Sequence, residues 1–343
     1  MPHRTFFWFI LPTLTAMFLF IAVPLVSVFI QSLHVEHEQV LVVAESCDPF
    51  GCTETTSVDQ EATAQLRAEK PLGKFNGLRT YANRSHLAFA EIAAMWRTTS
   101  NWGAFFSELF NLPFYRALSF TLTYTFLVTP FVLALGLAVA VGVNNLPRLV
   151  KGPTIFFSLL PMIVTPLIGS LILFWMVDAD GILGATLQRI FNDNSLSLKA
   201  SPALTWIMLI VYGIWHLLPF GFIVFYAGLQ TVPQDTLEAA MIDGASRWQR
   251  LMHVVVPHLM PLIVFVSLIL LMDNFRVFEP IVGFSAEAHA TSLSWIIFND
   301  LRESGAPLFS SAGATSIMTI IGAAILLAPV LIRTWRDFNR RGI

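Results

Sequence analysis

ALSFTLTYTFLVTPFVLALGLAVAVGVNNLP, residues 117–147, runs 31 positions without an Asp, Glu, Lys or Arg. It does not alternate apolar and polar residues, so it does not read as a strand of a membrane barrel. About 20 apolar residues take a helix across a bilayer, and this run exceeds that length. Five further charge-free windows flank it: 5–35, 152–177, 200–234, 251–272 and 306–332. Each is long enough to span, which predicts an all-α polytopic membrane protein with six transmembrane helices. Composition agrees. Of 343 residues, 55% are hydrophobic and 12% charged, with a mean hydropathy of +0.68. Soluble domains carry about 25% charged residues. A soluble enzyme, a disordered chain and a disulfide mini-scaffold are therefore excluded, and a formal net charge of −2 with no basic domain gives no sign of a nucleic-acid partner.

The basic residues orient the bundle. With both termini in the cytoplasm, the inner segments hold Arg4, Arg148, Lys151, Arg247, Arg250, Arg333, Arg336, Arg340 and Arg341, whereas the two short outer loops hold only Arg189, Lys199 and Arg302. That bias obeys the positive-inside rule. The domain layout expected is a first transmembrane helix at 1–33, an extracytoplasmic insertion at 34–112, a permease-like core of five helices at 113–335, and a cytoplasmic tail at 336–343. The first apolar run outlasts a signal-peptide core and shows no clear small-residue cleavage site, so it reads as a retained helix.

Within the insertion, residues 36–74 read as a polar strand-and-turn segment. The spacing of Phe89, Ile92, Ala93 and Trp96, and then of Trp102, Phe105, Phe106 and Leu109, predicts short amphipathic helices, on the membrane surface or capping the outer mouth. Cys47 and Cys52, the two cysteines of the chain, bracket Pro49 and Gly51; in an oxidising compartment they suit a small disulfide ring, with two unpaired thiols as the alternative. No metal role is read for them.

The predicted cytoplasmic connection between the fourth and fifth helices reads VPQDTLEAAMIDGASRWQRLMHVVVPHLMP, residues 232–261. Pro233 suits a helix's first turn. Asp235 and Glu238 favour that end through the helix dipole. Leu237, Ala240, Met241 and Gly244 share a face at helical spacing. Gly244 suits a left-handed cap, and Ser246 with Gln249 suits a capping box opening a second short helix, expected to end before Pro257. The expectation is two short helices joined at a glycine bend, with Ala239, Ala240 and Gly244 small enough for close approach by another surface. An ordinary helical hairpin resting on headgroups is the alternative.

The same segment resembles the EAA loop of binding-protein-dependent ABC importer permeases. Glu238-Ala239-Ala240, Gly244, Val254, Val256 and Pro257 fill its positions, and Asp243 with Ala245 fits its common DGA form. Residues 215–249 are similar to the carbohydrate-importing branch, which includes maltose- and glycerol-phosphate-type permeases. The stretches 112–125, 174–187 and 274–285, and the short 75–84, resemble further parts of it. The resemblance covers most of 110–335 and the first helix; the material at about 36–72 and 86–111 departs from it.

That resemblance implies a type I importer in the bacterial or archaeal cytoplasmic membrane. Two permease subunits, this chain and a second homologous one, would form the path. An ATPase subunit dimer, carrying the ATP and Mg, would dock on Leu237, Glu238, Ala239, Ala240, Asp243 and Gly244. An extracytoplasmic binding protein would deliver a sugar or sugar-like polyhydroxy solute. The chain itself carries no G-x-x-x-x-G-K-[ST] phosphate loop and so binds no nucleotide cofactor of its own by that means.

Candidate path residues are ionisable or polar groups within the membrane. Asp273, Arg276 and Glu279 recur three apart near the outer end of the fifth helix, spaced either to pair or to face a solute. The resemblance to the carbohydrate branch implies a polar residue near Asn274 that can face the solute, and an amide offers donors and an acceptor to hydroxyl groups. Trp215 and Phe220 suit either a sugar's C–H face or helix packing. His216 reads as a helix–helix hydrogen bonder. A secondary transporter or channel subunit is the rival reading, which leaves the EAA segment unexplained. An intramembrane enzyme finds no H-E-x-x-H or G-x-S-x-G support.

Overall fold

The computed structural model describes residues 3–36, 40–48, 51–70, 72–99, 101–193, 197–302 and 307–341. The chain divides into two compact units, residues 1–115 with 296–320, and residues 116–295 with 321–343. Among the described residues, five helices are long and apolar enough to cross a membrane: Phe6–Ser32, Pro113–Asn144, Pro202–Leu229, Arg247–Phe275 and Phe309–Arg336.

The first unit begins with α1 (His3–Met17), a π-turn at Phe18–Ala22 and α2 (Val23–Ser32). This first span buries none of its apolar window in the protein. Its side chains suit lipid, because the hydrocarbon core is their only dry surrounding. The outer segment follows. Strands β1 (His34–Val35) and β4 (Lys74–Phe75) pair antiparallel and close a loop holding a hairpin, β2 (Leu41–Asp48) with β3 (Gly51–Val58), and α3 (Gln60–Glu69). The strand-and-turn expectation for this stretch misses α3. That helix is short and polar, and its sequence signal is the N-cap, where Asp59 Oδ1 accepts from Ala62 N at 3.0 Å. After α4 (Arg79–Ala82) come the two expected amphipathic helices, α5 (Phe89–Thr98) and α6 (Trp102–Leu109). Cys47 and Cys52 stand opposite each other in the hairpin register; their side chains lie outside the described ones.

The second unit takes most of α7 (Pro113–Asn144), then α8 (Arg148–Ile163), α9 (Pro166–Met176), α10 (Ile182–Phe191), α11 (Pro202–Leu229), α12 (Gln234–Ile242), α13 (Arg247–Arg250), a π-turn at Leu251–Val255, α14 (Val256–Phe275) and α15 (Glu279–Gly283). Helix α16 (Leu293–Arg302) and helix α17 (Phe309–Arg341) complete the chain. The core of this unit is apolar and aromatic, centred on Phe120, Val128, Leu209, Phe222, Phe225 and Leu270, all 0–1% exposed.

Two expectations need correcting. The 152–177 window is not one straight helix. Helices α8 and α9 meet at a 93° bend, and six spans are reached only by taking the pair as one. Pro166 is the cause: a residue before proline is pushed out of the helical region, and Thr165 sits extended at ψ 146°, as does Val164 at ψ 127°. The second helix of the 232–261 segment also does not stop before Pro257. It continues from Arg247 to Phe275 as one span. The chain passes the proline by widening the preceding turn, where Val256 N–H donates to Leu251 O, five residues back.

Candidate functional site

Two features of the second unit carry chemistry. The first is the elbow between α12 and α13. Pro233 lies just outside α12 as its N-cap, with Asp235 in the first turn. At the other end, Gly244 adopts φ +76°, which a side chain with a Cβ resists. Gly244 N–H then donates to Met241 O at 3.1 Å, and Ala245 N–H to Ala240 O at 3.0 Å. This pair of bonds is the Schellman closure. Ser246 reverses the chain immediately: its hydroxyl accepts from Gln249 N at 3.3 Å, while Gln249 Oε1 accepts from Ser246 N at 2.8 Å. Local sequence alone therefore dictates the bend.

The elbow keeps its residues outside. No residue of α12 or α13 is buried. Leu237 and Ala240 are partly covered, while Glu238, Ala239, Asp243 and Gly244 are exposed, and Glu238 makes no ion pair among the described residues. Two residues the motif does not point to complete this surface, Ile242 at 87% exposure and Trp248 at 65%. An aliphatic and an indole side chain are thus left bare just outside Asp243 and Arg247.

The second feature is a cavity of about 360 Å³ within the second unit. Helix α7 gives it Tyr124; α11 gives Tyr212, Gly213, His216 and Leu217; α14 and the turn after it give Asp273, Asn274, Arg276 and Val277. Pro166 of α9 and Glu279 with Pro280 of α15 close it. Tyr212 is fixed twice. Its hydroxyl donates to Pro166 O at 2.9 Å, and its ring stacks on His216 at 5.7 Å and 13°. His216 Nδ1, also buried, meets no hydrogen-bond partner among the described residues.

Asn274, 2% exposed, donates from Nδ2 to Thr129 Oγ1 at 3.1 Å, an amide anchored between α14 and α7. Asp273 and Arg276 form a half-exposed ion pair at 2.9 Å. Glu279 does not share their helix, because α14 ends at Phe275 and Glu279 opens α15. Thus Asp273 and Asn274 come together on the cavity, whereas Trp215 and Phe220 lie outside its lining. Trp215 is half exposed and tilted against Tyr212 at 6.0 Å; Phe220 packs against the core. Tyr124 and Tyr212 were not singled out in the sequence. Their signal is scarcity, since the chain has five tyrosines and two of them line this cavity.

A multi-span helical chain with an exposed two-helix elbow and a polar cavity among its spans is a membrane permease. Residues 100–335 match the family of the binding-protein-dependent transport system inner membrane component, and the chain belongs to that family. It is a multi-pass protein of the cytoplasmic membrane.

Among its relatives, the inner membrane ABC transporter permease protein YcjO of Escherichia coli (strain K12) is 31% identical over 224 residues, 62% of this chain and 73% of that protein. The arabinooligosaccharides transport system permease protein AraP of Bacillus subtilis (strain 168) is 31% identical over 184 residues, 51% of this chain and 56% of that one. The trehalose transport system permease protein SugA of Mycobacterium tuberculosis (strain ATCC 25618 / H37Rv) is 27% identical over 232 residues, 67% of this chain and 73% of that one. The fold is also that of a chain in a bacterial ABC transporter involved in import of the acidic polysaccharide alginate, with TM-score 0.60, 22% identity, and coverage of 81% of this chain and 97% of that one.

Proposed function

We propose that the chain is one permease subunit of an ATP-driven importer for a sugar or sugar-like polyhydroxy solute. An extracytoplasmic binding protein delivers the solute. A second, homologous permease subunit completes the path, and an ATPase dimer with its ATP and Mg docks on the elbow. The observation that carries the reading is the elbow itself: a sequence-encoded bend with Ile242 and Trp248 bare beside Glu238-Ala239-Ala240 and Gly244. Arabinooligosaccharide and trehalose systems among the matched relatives support the solute class.

In this reading both termini and the elbow face the cytoplasm, as the distribution of basic residues favours. ATP-driven closure of the ATPases turns the elbow, and the turn reaches the membrane directly because α13 continues without a break into the span ending at Phe275. Side chains on the cavity then meet solute through hydroxyl, imidazole and amide groups.

Co-purification of the tagged chain in mild detergent, followed by reconstitution with whatever accompanies it, tests this. An ATPase and a second permease are expected, with solute uptake that needs ATP and the binding protein. A chain that purifies alone and moves solute without ATP would instead establish the secondary-transporter reading.

A further inference from the structure

We propose that the cavity among α7, α9, α11 and α14 is a charge filter in which Glu279 excludes anionic solutes, so that the substrate class is an uncharged or cationic polyhydroxy compound and not an acidic sugar. The inference rests on reading this cavity as the solute path.

The argument begins with which charges on its wall are already used. Four titratable groups capable of charge near neutral pH line it: Asp273, Arg276, Glu279 and His216. Asp273 and Arg276 neutralise each other at 2.9 Å. Glu279 is exposed to the cavity and makes no ion pair among the described residues. No lysine and no second arginine lines the cavity. At pH values where imidazole is neutral the wall therefore carries one uncompensated negative charge.

The backbone beneath Glu279 is well held. Ser170 Oγ lies 3.3 Å from the Glu279 carbonyl, and a Cβ added at Gly283 would lie 2.1 Å from Ser170 Oγ, so α15 sits tightly on α9. An acidic group at a fixed place in a confined cleft focuses its field into the space there.

The chemistry of the donors points the same way. A carboxylate or phosphate on a solute needs strong donors, of which a free guanidinium is the best. The only guanidinium here is committed to Asp273. What remains is an acceptor-only carboxylate, two phenol hydroxyls, an imidazole and an amide, a set that matches alcohol or ammonium groups.

Charged thiol reagents read this field without any knowledge of the solute. Leu217, on the cavity wall, is replaced by cysteine in the full-length chain, and labelling of the native cysteines is subtracted using the parent. Rates with a trimethylammonium-ethyl and a sulfonato-ethyl methanethiosulfonate are compared at about pH 8, above the ordinary imidazole value. The cation-to-anion rate ratio is expected to exceed that of a free thiol about tenfold, an effect of like-charge exclusion. Glu279→Gln should return it close to the free-thiol ratio, while Glu287→Gln, outside the cavity, should leave it unchanged. Val277→Cys serves as the reporter if Leu217→Cys fails to fold.

A parent ratio equal to that of a free thiol, or a ratio unmoved by Glu279→Gln, overturns the proposal. ATP-driven uptake by the assembled transporter is measured separately. If the ratio behaves as expected and that uptake is absent, the importer reading fails while the filter stands as a property of the cavity.

Discussion

Substituting Gly169 by alanine tests how the cavity wall is built. Gly169 lies buried on α9, and a Cβ there would sit 2.3 Å from Tyr212 Oη and 3.1 Å from both Tyr212 Cε2 and Cζ. The first distance is impossible, while the other two require a shift of only a few tenths of an ångström. Alanine therefore meets mainly one oxygen atom. Overpacking of this kind costs about 1–3 kcal/mol. The gain of alanine over glycine within a helix returns about 0.5–1 kcal/mol, so Gly169→Ala should destabilise by about 1–2 kcal/mol. Tyr212→Phe removes that oxygen and with it the bond to Pro166 O, at about 1 kcal/mol.

If the two effects were independent, the double variant would lose about 2–3 kcal/mol. The geometry predicts otherwise. Without the hydroxyl, alanine has room, and its helix preference offsets part of the lost hydrogen bond. The double variant should then lose no more than about 1 kcal/mol, a coupling of about 1–2 kcal/mol. Equilibrium unfolding in mixed detergent micelles, followed by far-ultraviolet circular dichroism on the four members of the cycle, measures it. Costs that add to within about 0.5 kcal/mol would refute the direct contact between Gly169 and Tyr212 on which the reasoning depends.

Three further outcomes are expected. Gly244→Arg should cost only the roughly 1–2 kcal/mol of left-handed backbone strain, because nothing lies within 4 Å of the added Cβ; thermal unfolding stays near the parent's while ATP-driven uptake is lost, and normal uptake would remove the elbow from the docking surface. His86, 1% exposed and donating from Nε2 to Ser311 O at 3.2 Å, has its pKa pulled below 6.5 by burial, against the opposing pull of the Ser311 carbonyl and Asp300. The folded state therefore binds fewer protons than the unfolded one as pH falls below about 6.5; melting temperature should drop across that range, and His86→Gln should flatten the drop. Cys47 and Cys52 occupy opposite register positions, a placement whose Cα separation suits a disulfide; alkylation of the denatured chain should add nothing before reduction and two groups after it, whereas two groups before reduction would establish free thiols.

Long uncharged runs made the spans legible, because hydrocarbon tolerates no unpaired backbone and few charges. Where the sequence misled, local backbone rules had overridden the hydropathy. Pro166 breaks an apolar window that averages well as a single span. Pro257 is absorbed by a widened turn, so a proline that seemed to end one helix lies inside a longer one. Hydropathy measures what surrounds a segment. It is blind to whether the hydrogen-bond ladder within the segment is continuous.

The two functional features differ in legibility for a physical reason. The elbow is a local structure: Gly244, Ser246 and Gln249 make their defining bonds within five residues of themselves, so one stretch of sequence contains the whole cause. The cavity is assembled from residues far apart in the chain, Tyr124, Pro166, Tyr212, Asn274 and Glu279, and no spacing rule connects them. Asn274 shows the consequence. It was a candidate for its amide chemistry and for its place in the family resemblance, yet its Thr129 partner lies 145 positions away, and only the fold shows that one end of the amide is already engaged. On the proposed solute path, a group so anchored would meet the solute with its geometry fixed beforehand. Replacing Thr129 by valine should therefore disturb uptake nearly as much as changing Asn274 to leucine, although Thr129 is not on the cavity wall; intact uptake in Thr129→Val would mean that Asn274 serves packing and not transport.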